Sequence, residues 1–295
     1  MAYSPRISVV IVTYNSQSVI FNCINALMDQ SLRANRIIIL DNCSSDPTYL
    51  DSLSEYDSVE VFRSSKNFGF CAANNIGFRN CRDSDYILFL NPDAFLEKNF
   101  LSGAIEWIEM PENENVGILT GLLLGFDILN GIGTGNVDSS GIFQSWYGRW
   151  YDRYQGRALP EVVANFVCEE VPAACGALML CRSKALISCL VRDDEVFDEK
   201  FFMYKEDIDL SIRVRRTGWK IVFEPKLKCW HCRGWTARKA MPYWTKMHSV
   251  QNEVRVSVRN RGRGILYSLI KLVYVSSVEP CVEFISVYFK NVISR

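Results

Sequence analysis

Ile7–Thr13 reads ISVVIVT, an almost continuous β-branched run. Such a run is typical of a strand that is covered on both faces. Ser18–Gln30 follows it with apolar residues at helical spacing, and Arg36–Asp41 (RIIILD) is a second run of strand type. This alternation predicts βαβ units, and therefore a parallel sheet between layers of helices.

The same alternation continues along the first half of the chain. The spacing predicts helices over Ser45–Glu55, Gly69–Asn80 and Phe100–Glu109, and strands over Val59–Phe62, Asp85–Leu90 and Val116–Leu124. The predicted fold class is therefore α/β, with a Rossmann-like, mostly parallel central sheet flanked by helices. Right-handed crossovers then bring the loops that follow the strands to one edge of the sheet, where such folds bind ligands.

The second half of the chain is less regular. Gly125–Gln155 is rich in glycine and aromatic residues, which predicts loops and short antiparallel strands. Val171–Arg182 and Trp219–Phe223 have strand character, and Lys205–Arg216 has apolar residues four apart, as in a helix. From Pro242 onward the pattern is helical and basic.

Composition narrows the class of protein. A chain of 295 residues with 48% hydrophobic content is large enough for one substantial domain. Its 33 basic and 33 acidic residues balance, which predicts no nucleic-acid partner. The first residues lack the pattern of a secretory leader, so we expect a cytoplasmic protein. Most cysteines lie inside apolar runs and are expected to be buried free thiols, including Cys23, Cys71, Cys175, Cys181 and Cys189.

Two acidic sites directly follow predicted strands. Asp41 ends RIIILD, and Asp93 follows Tyr86–Leu90 in the sequence Asn91-Pro92-Asp93. A carboxylate at this edge can accept a hydrogen bond from a base or ribose, and one carboxylate with phosphate oxygens can hold a magnesium or manganese ion. Each site also has a simpler explanation, which is a helix cap for Asp41 or Ser44 and a turn for Asn-Pro-Asp.

A third acidic site begins the helix predicted over Lys205–Arg216. Asp207 would lie in the first turn, with Glu206 and Asp209 on one helix face. The apolar aromatic run Phe201–Tyr204 precedes it. A carboxylate against such a wall is expected to have a raised pKa, which suits a general base. A charged first turn with no catalytic role is the alternative.

His231 lies between Cys229 and Cys232, which form a lone C-x-x-C sequence. A zinc site would need two more ligands nearby, and a redox pair normally lies where a helix begins after a strand. We therefore favour His231 as a second metal ligand or as a phosphate contact.

Taken in order, these stretches resemble the family 2 glycosyltransferases with the GT-A fold, over roughly residues 7–235. The matching stretches are VVIVTYN (Val9–Asn15), IILDNCSSD (Ile38–Asp46), NFGFCAANNIG (Asn67–Gly77), DYILFLNPDA (Asp85–Ala94), ACGALML (Ala174–Leu180) and FFMYKEDIDLSIRVRRTG (Phe201–Gly218). The NPDA and MYKEDIDL forms are most similar to the bacterial polysaccharide branch that includes rhamnosyltransferases and some galactofuranosyltransferases.

The resemblance implies a role for each matching residue. Asp207 would be the catalytic base, and Asp93 and His231 would hold a divalent metal, Mg²⁺ or Mn²⁺. Asn91 stands at the first position of the family's DxD motif, so the site carries less charge than a full DxD. The nucleotide-sugar would contact Thr13, Tyr14, Asn15, Asp41, Asn67, Gly69, Asn74, Asn91 and Asp93. The donor sugar and the acceptor would lie beside Cys175, Gly176, Glu206 and Trp235.

The implied reaction is a single displacement with inversion. One carboxylate takes the proton of the acceptor hydroxyl, and a metal neutralises charge on the leaving diphosphate. The resemblance favours L-rhamnose transfer from dTDP-rhamnose to a lipid-linked saccharide in O-antigen or capsule synthesis. The alternatives are a galactofuranosyl- or other hexosyltransferase that uses a UDP-sugar, and a non-catalytic sugar-nucleotide binding protein. A nucleotidyltransferase would be expected to have a basic, glycine-rich phosphate loop after the first strand. The residues there are Tyr14-Asn15-Ser16-Gln17, none of which is basic, so this class is disfavoured.

The predicted domains are a glycosyltransferase domain over residues 1–240 and a basic helical extension over residues 241–295. The extension has valines and arginines at helical spacing, namely Val250, Val254 and Val258, and Arg255, Arg259 and Arg263. Basic, apolar and aromatic residues together are typical of a segment that lies on an anionic membrane surface. The protein would then be peripheral on the cytoplasmic face of the inner membrane. An ordinary packed surface helix and a homodimer contact are the alternatives.

Overall fold

The structure, a computed structural model, describes residues 5–232 and 241–279. Contacts divide these residues into two units. The first comprises residues 5–143, 152–202 and 206–232, and the second comprises residues 144–151, 203–205 and 241–279. The boundary predicted at residue 240 and the sugar contact predicted at Trp235 both fall in residues 233–240, outside the described residues. Both therefore stay predictions.

The strands follow the predicted alternation closely. They are β1 Ile7–Thr13, β2 Arg36–Asp41, β3 Val59–Arg63, β4 Tyr86–Leu90, β5 Ala94–Leu96, β6 Val116–Asp127, β7 Ile132–Ser139, β8 Ile142–Gln144, β9 Trp150–Asp152, β10 Glu169–Glu170, β11 Leu178–Arg182 and β12 Lys220–His231.

Helices separate most of these strands. They are α1 Ile20–Met28, α2 Phe70–Arg79, α3 Phe100–Ile108, α4 Leu159–Val162, α5 Ser183–Ser188, α6 Glu206–Arg216, α7 Tyr243–Arg259 and α8 Ile265–Val273. Short 3₁₀ segments lie at Thr48–Glu55, Pro111–Asn113, Val163–Asn165 and Glu199–Phe201, and a π-helical turn at Tyr274–Val278 follows α8.

A ten-stranded sheet forms the centre of the first unit. Its order is β10-β12-β6-β11-β4-β1-β2-β3, with β5 beside β12 and β7 beside β6. Along this order β1, β2, β3, β4, β6 and β12 run in one direction, while β10 and β11 run in the other. The prediction of a mostly parallel central sheet flanked by helices is therefore confirmed.

The parallel half of the sheet places the first candidate residues together. β1 is buried along its whole length, as expected for a strand covered on both faces. In its register with β2, Thr13 lies opposite Asp41, and Asp41 lies opposite Arg63 of β3. The three strands therefore end side by side, at the edge where an open α/β sheet binds its ligands.

Two strands differ from the predicted ones. Val171–Arg182 was expected to be one strand, but only Leu178–Arg182 pairs with β4 and β6, and it does so in the antiparallel direction. β12 continues past the predicted Trp219–Phe223 as far as His231, because a register shift between Glu224 and Lys228 accommodates the intervening residues. Pro225 lies in that irregularity, which is where a strand tolerates proline.

The cysteines follow the expectation from the sequence. Cys23, Cys71, Cys175, Cys181 and Cys189 are all buried free thiols. Burial raises the pKa of Cys81 and of Cys189 to about 11, so both remain protonated near neutral pH. Within the described residues, no helix is both long enough and apolar enough to cross a bilayer.

Candidate active site

Asp41 organises the loop that follows β2. Its side chain is buried, and its carboxylate accepts hydrogen bonds from the Ser44 backbone N–H at 3.2 Å and from the Ser44 hydroxyl at 2.5 Å. Tyr49 contacts the same cluster, with its hydroxyl 3.2 Å from Ser44 Oγ and 3.0 Å from Thr13 Oγ1. The next helical segment begins at Thr48 without a side-chain cap, so Asp41 and Ser44 stabilise the loop rather than cap that helix.

The loop after β1 is joined to this cluster. Asn15 has a positive φ of 53°, its backbone N–H donates to Ser44 Oγ at 2.8 Å, and its side-chain oxygen accepts from the Ser45 N–H at 2.8 Å. Tyr14 beside it is 52% exposed, so its ring is available to a ligand. Thr13, Asn15 and Asp41 thus lie in one hydrogen-bonded group, while Tyr14 lies at its surface.

A second loop is attached to the same edge through two asparagines. The Asn42 side chain donates to Asn67 Oδ1 at 2.9 Å and accepts from the Phe68 N–H at 2.9 Å. Asn67 Oδ1 also accepts from the Gly69 N–H at 2.9 Å. Asn74 is buried on α2, where its side chain donates to Phe70 O at 2.9 Å. Of the residues predicted here, Asn67 and Gly69 therefore lie in the loop and Asn74 lies inside the helix.

Gly69 is required by its backbone conformation and by its neighbour. Its φ is +86°, and a Cβ at this position would overlap the Phe202 ring and lie 2.8 Å from Phe202 O. Phe202 O in turn accepts hydrogen bonds from the N–H groups of Phe70 at 2.6 Å and Cys71 at 3.3 Å. The start of α2 is therefore held against the end of the aromatic segment that precedes α6.

Two hydrogen bonds connect the Asn91 turn with Asp207. The Asn91 N–H donates to Ala177 O at 3.1 Å, and the Gly176 N–H donates to Asp207 Oδ2 at 3.1 Å. A Cβ at Gly176 would lie 3.2 Å from Asp207 Cβ, so glycine permits this close approach. The Ala94 N–H donates to Asn91 O at 3.1 Å, which closes the turn expected from Asn-Pro-Asp. The turn therefore directly follows the buried strand β4 at this site.

The remaining residues predicted around the sugar are less accessible. Cys175 and Glu206 are buried, whereas Gly176 and Asp207 are partly exposed. Asp209 is buried in an ion pair with Arg213, whose Nε lies 2.8 Å from Asp209 Oδ2. The Asp207 carboxylate is thus bonded to the Gly176 segment, whereas that of Asp209 is paired with Arg213.

Asp93 and His231 meet where β5 pairs with β12. Their contact is 3.3 Å long and joins His231 Nε2 to Asp93 Oδ1. On the other side of the ring, His231 Nδ1 lies 2.8 Å from Asp138 Oδ2. Asp138 comes from β7 and is fully buried. Because an ionised carboxylate only accepts hydrogen bonds, Nδ1 is the donor to Asp138 and Nε2 faces Asp93.

The two carboxylates determine the protonation of His231. Burial alone lowers the pKa of the imidazole, but the hydrogen bonds that Asp138 and Asp93 accept from the ring and their negative charges outweigh it, and the pKa rises to about 9. The ring therefore carries a positive charge near neutral pH when no other cation is bound there.

These residues fit a divalent cation. Two ligand atoms at right angles, each about 2.1 Å from one ion, are about 3 Å apart, close to the separation of Asp93 Oδ1 and His231 Nε2. Within residues 5–232 and 241–279 no group of three or more potential metal-ligating side chains occurs. The described residues could therefore supply two ligands, and the other positions would be filled by phosphate oxygens and water.

Four residues of this region were not among the predicted site residues. Asn42, Ser44 and Tyr49 lie within one short stretch after β2, and the Asx and hydroxyl side chains in Asp41–Asp46 were a local signal for a built loop. Asp138 gave no such signal, because it lies in a glycine-rich region and contacts His231 across 93 positions of sequence.

The fold and this site define a class of protein in which an α/β sheet gathers polar loops at the carboxyl ends of parallel strands. Residues 8–120 match the family model described as glycosyl transferase family 2. Over these residues the chain is therefore similar to the family 2 glycosyltransferases, and its fold is the GT-A fold of the solved structures that it resembles.

Two curated relatives are rhamnosyltransferases by name. The chain is 30% identical over 92 residues to the O-antigen chain rhamnosyltransferase RfbN of Salmonella typhimurium, which is 31% of this chain and 29% of that protein. It is 27% identical over 203 residues to the rhamnosyltransferase WbbL of Escherichia coli, covering 66% of this chain and 72% of that protein. The chain spans less than half the length of several curated relatives that it matches.

A solved structure is similar over most of the fold. The crystal structure of GalNAc-T7 with UDP, GalNAc and Mn²⁺ has a TM-score of 0.65 and 16% sequence identity, and the match covers 88% of this chain and 48% of that chain. At this identity the similarity defines the fold alone.

Proposed function

We propose that this protein is an inverting, metal-dependent glycosyltransferase that moves one sugar from a nucleotide diphosphate to a hydroxyl. The observation that carries the proposal is the hydrogen-bonded path from the Asn91 turn through Ala177 and Gly176 to Asp207. This path supports the proposal, because it links the turn proposed to hold the diphosphate with the carboxylate proposed to take the proton. Such an arrangement is what a one-step displacement needs, because donor and acceptor must be held in line.

Asp207 is the proposed base. Its Oδ2 accepts from the Gly176 N–H and its Oδ1 from the Ile208 N–H at 2.8 Å, which fixes the carboxylate. It takes the proton of the acceptor hydroxyl while that oxygen bonds to the anomeric carbon from the face opposite the diphosphate. The bond from the anomeric carbon to the diphosphate oxygen breaks, and its electron pair leaves with the nucleotide. One displacement of this kind inverts the anomeric configuration.

Asp93 and His231 are the proposed metal ligands, and Mg²⁺ or Mn²⁺ bound there would supply positive charge to the leaving diphosphate. Asp41, Thr13 and Asn15 would bind the nucleoside with Tyr14, while Asn67 and Gly69 shape the adjoining loop. Their shared hydrogen bonds keep these groups in place before the ligand arrives. Such preorganisation lowers the cost of binding.

The proposed donor is dTDP-rhamnose, and the proposed acceptor is a lipid-linked saccharide of bacterial O-antigen or capsule synthesis. The two relatives named as rhamnosyltransferases support the sugar, and the O-antigen role in the name of RfbN supports the acceptor class. A lipid-linked acceptor would put the protein peripherally on the cytoplasmic face of the inner membrane.

The Asp207→Asn variant tests the base directly. Because Asn cannot accept the proton, transfer should fall about 10² to 10⁴-fold while nucleotide binding is kept. Release of nucleotide in the presence of acceptor measures transfer, and calorimetry with the nucleotide alone measures binding. Asp193→Asn is the matched control, because Asp193 is an exposed carboxylate outside the site. Near wild-type turnover in Asp207→Asn would remove Asp207 as the base.

A further inference from the structure

Helix α8 of the second unit exposes an apolar face. Leu266, Ile270 and Val273 are 70%, 60% and 62% exposed, and Leu269 beside them is 44% exposed. Ser268, on the opposite face, is fully buried. A helix packed on a water-soluble protein normally has the reverse pattern, with its apolar side inward and its polar side outward. Within the described residues, this outward apolar face has no covering element.

An aromatic loop of the same unit lies beside α8. Trp146 is 84% exposed, and its ring packs edge-on against Tyr147 at 5.3 Å between centroids. Tyr147 in turn packs against Tyr267 of α8 at 5.2 Å. The loop backbone is close as well, because a Cβ at Gly264 would lie 2.8 Å from Gly148 O. An exposed tryptophan therefore borders the apolar face of α8.

The described part of this unit is strongly positive. Its exposed basic residues are Arg149, Arg255, Arg259, Arg261 and Arg263. The acidic side chains in its described part are Glu253 and Glu279, and each is paired with a lysine, Lys271 and Lys246 respectively. The apolar face is thus accompanied by exposed arginines and by no exposed carboxylate in the described part of the unit.

We propose that this surface, formed by Leu266, Leu269, Ile270, Val273 and Trp146 with the neighbouring arginines, docks on an anionic lipid bilayer. Apolar side chains would enter the headgroup boundary, tryptophan would lie at the interface, and arginines would contact lipid phosphates. Charge complementarity selects this partner, because a second copy of the same arginine-rich surface would be repelled. This docking rests on the proposed function, because a lipid-linked acceptor would lie at such a bilayer.

Vesicle flotation of the full chain, without sugar donor, tests the surface. Vesicles of equimolar phosphatidylcholine and phosphatidylglycerol should carry the protein upward, and phosphatidylcholine alone should carry far less. The triple variant Leu266→Gln, Ile270→Gln, Val273→Gln should weaken partitioning at least about a hundredfold. The pair Arg261→Gln, Arg263→Gln should weaken it about fivefold for each arginine. Leu129→Gln, Ile132→Gln is the matched control, because these exposed apolar residues lie on the β6–β7 hairpin of the first unit.

Lipid contact at the loop gives an independent readout. Brominated lipid should quench the emission of Trp146, and Trp146→Phe should remove that part of the quenching. Wild-type protein that stays with the dense fraction, or a triple variant that floats like wild type, would overturn the proposal. A dimer that the triple variant dissociates, with no flotation of the wild type, would also overturn it. Because no donor is used, these outcomes leave the proposed transfer reaction untouched.

Discussion

Asp207 and Asp209 are two residues apart on α6, yet their side chains have different partners. Asp209 is paired with Arg213, which also donates to Cys189 O and Val196 O at 2.5 Å each. A buried pair of this kind holds segments of the chain together and is costly to break. Asp207 instead accepts from Gly176 at the strand-end edge. The local partners therefore separate a structural carboxylate from a candidate catalytic one.

Asp138 is the residue whose role the sequence did not indicate. Its contact with His231 Nδ1 fixes the orientation of the ring and directs Nε2 toward Asp93. A carboxylate behind a metal-binding histidine is a common way to hold the ligand in place. We therefore assign Asp138 a positioning role, distinct from the proposed ligands themselves.

Asp138→Asn should weaken binding of Mn²⁺ by about 10 to 100-fold, because the histidine loses its charged partner. Asp138→Ala should weaken it at least as much. Calorimetric titration of Mn²⁺ into the protein saturated with dTDP measures the affinity without any turnover. The affinity for dTDP, measured in the presence of a chelator and therefore without metal, should be unchanged in both variants. Unchanged Mn²⁺ affinity with a lowered melting temperature would mean that Asp138 is purely structural.

At the scale of elements, the junction between α2 and the segment before α6 depends on one glycine. Gly69 has a positive φ and lies against Phe202, whose carbonyl accepts from the first N–H groups of α2. The helix start is thereby bonded to the chain near the candidate base. A side chain at Gly69 would have to displace this contact.

Gly69→Ala should lower the free energy of unfolding by about 2 to 3 kcal/mol, since backbone strain and a steric clash combine. Gly131→Ala is the matched control, because Gly131 also has a positive φ, of +66°, but has nothing within 4 Å of an added Cβ. It should lose only about 1 kcal/mol, from strain alone. Chemical denaturation measures both variants. Equal losses would show that the Phe202 contact contributes nothing.

At the scale of the whole molecule, the sequence predicted those features that depend on the local pattern of residues. β-branched runs such as Ile7–Thr13 defined strands, and helical spacing defined α1, α2 and α6 within a few residues. The strand-end positions of Asp41 and Asp93 followed from the same pattern, because a parallel sheet brings strand ends to one edge.

The remaining features depend on contacts between distant segments. The antiparallel insertion of β11 between β4 and β6 cannot be deduced from an apolar run, which fits either direction. The extension of β12 past Pro225 depends on a bulge, and it carries His231 to Asp93 and Asp138. The outward apolar face of α8 likewise follows from which side of the helix packs, which the spacing of its apolar residues does not tell.

Nucleotide release tests metal-dependent transfer from a nucleotide-sugar most directly. The protein is incubated with a panel of dTDP-, UDP- and GDP-sugars and lipid-linked saccharide acceptors, with and without Mg²⁺ or Mn²⁺. We predict release from dTDP-rhamnose that requires both metal and acceptor. Release from a UDP-sugar but from no dTDP-sugar would still identify a transferase, but one that uses a different donor. No release from any donor, despite tight nucleotide binding, would contradict the account and indicate a sugar-nucleotide binding protein.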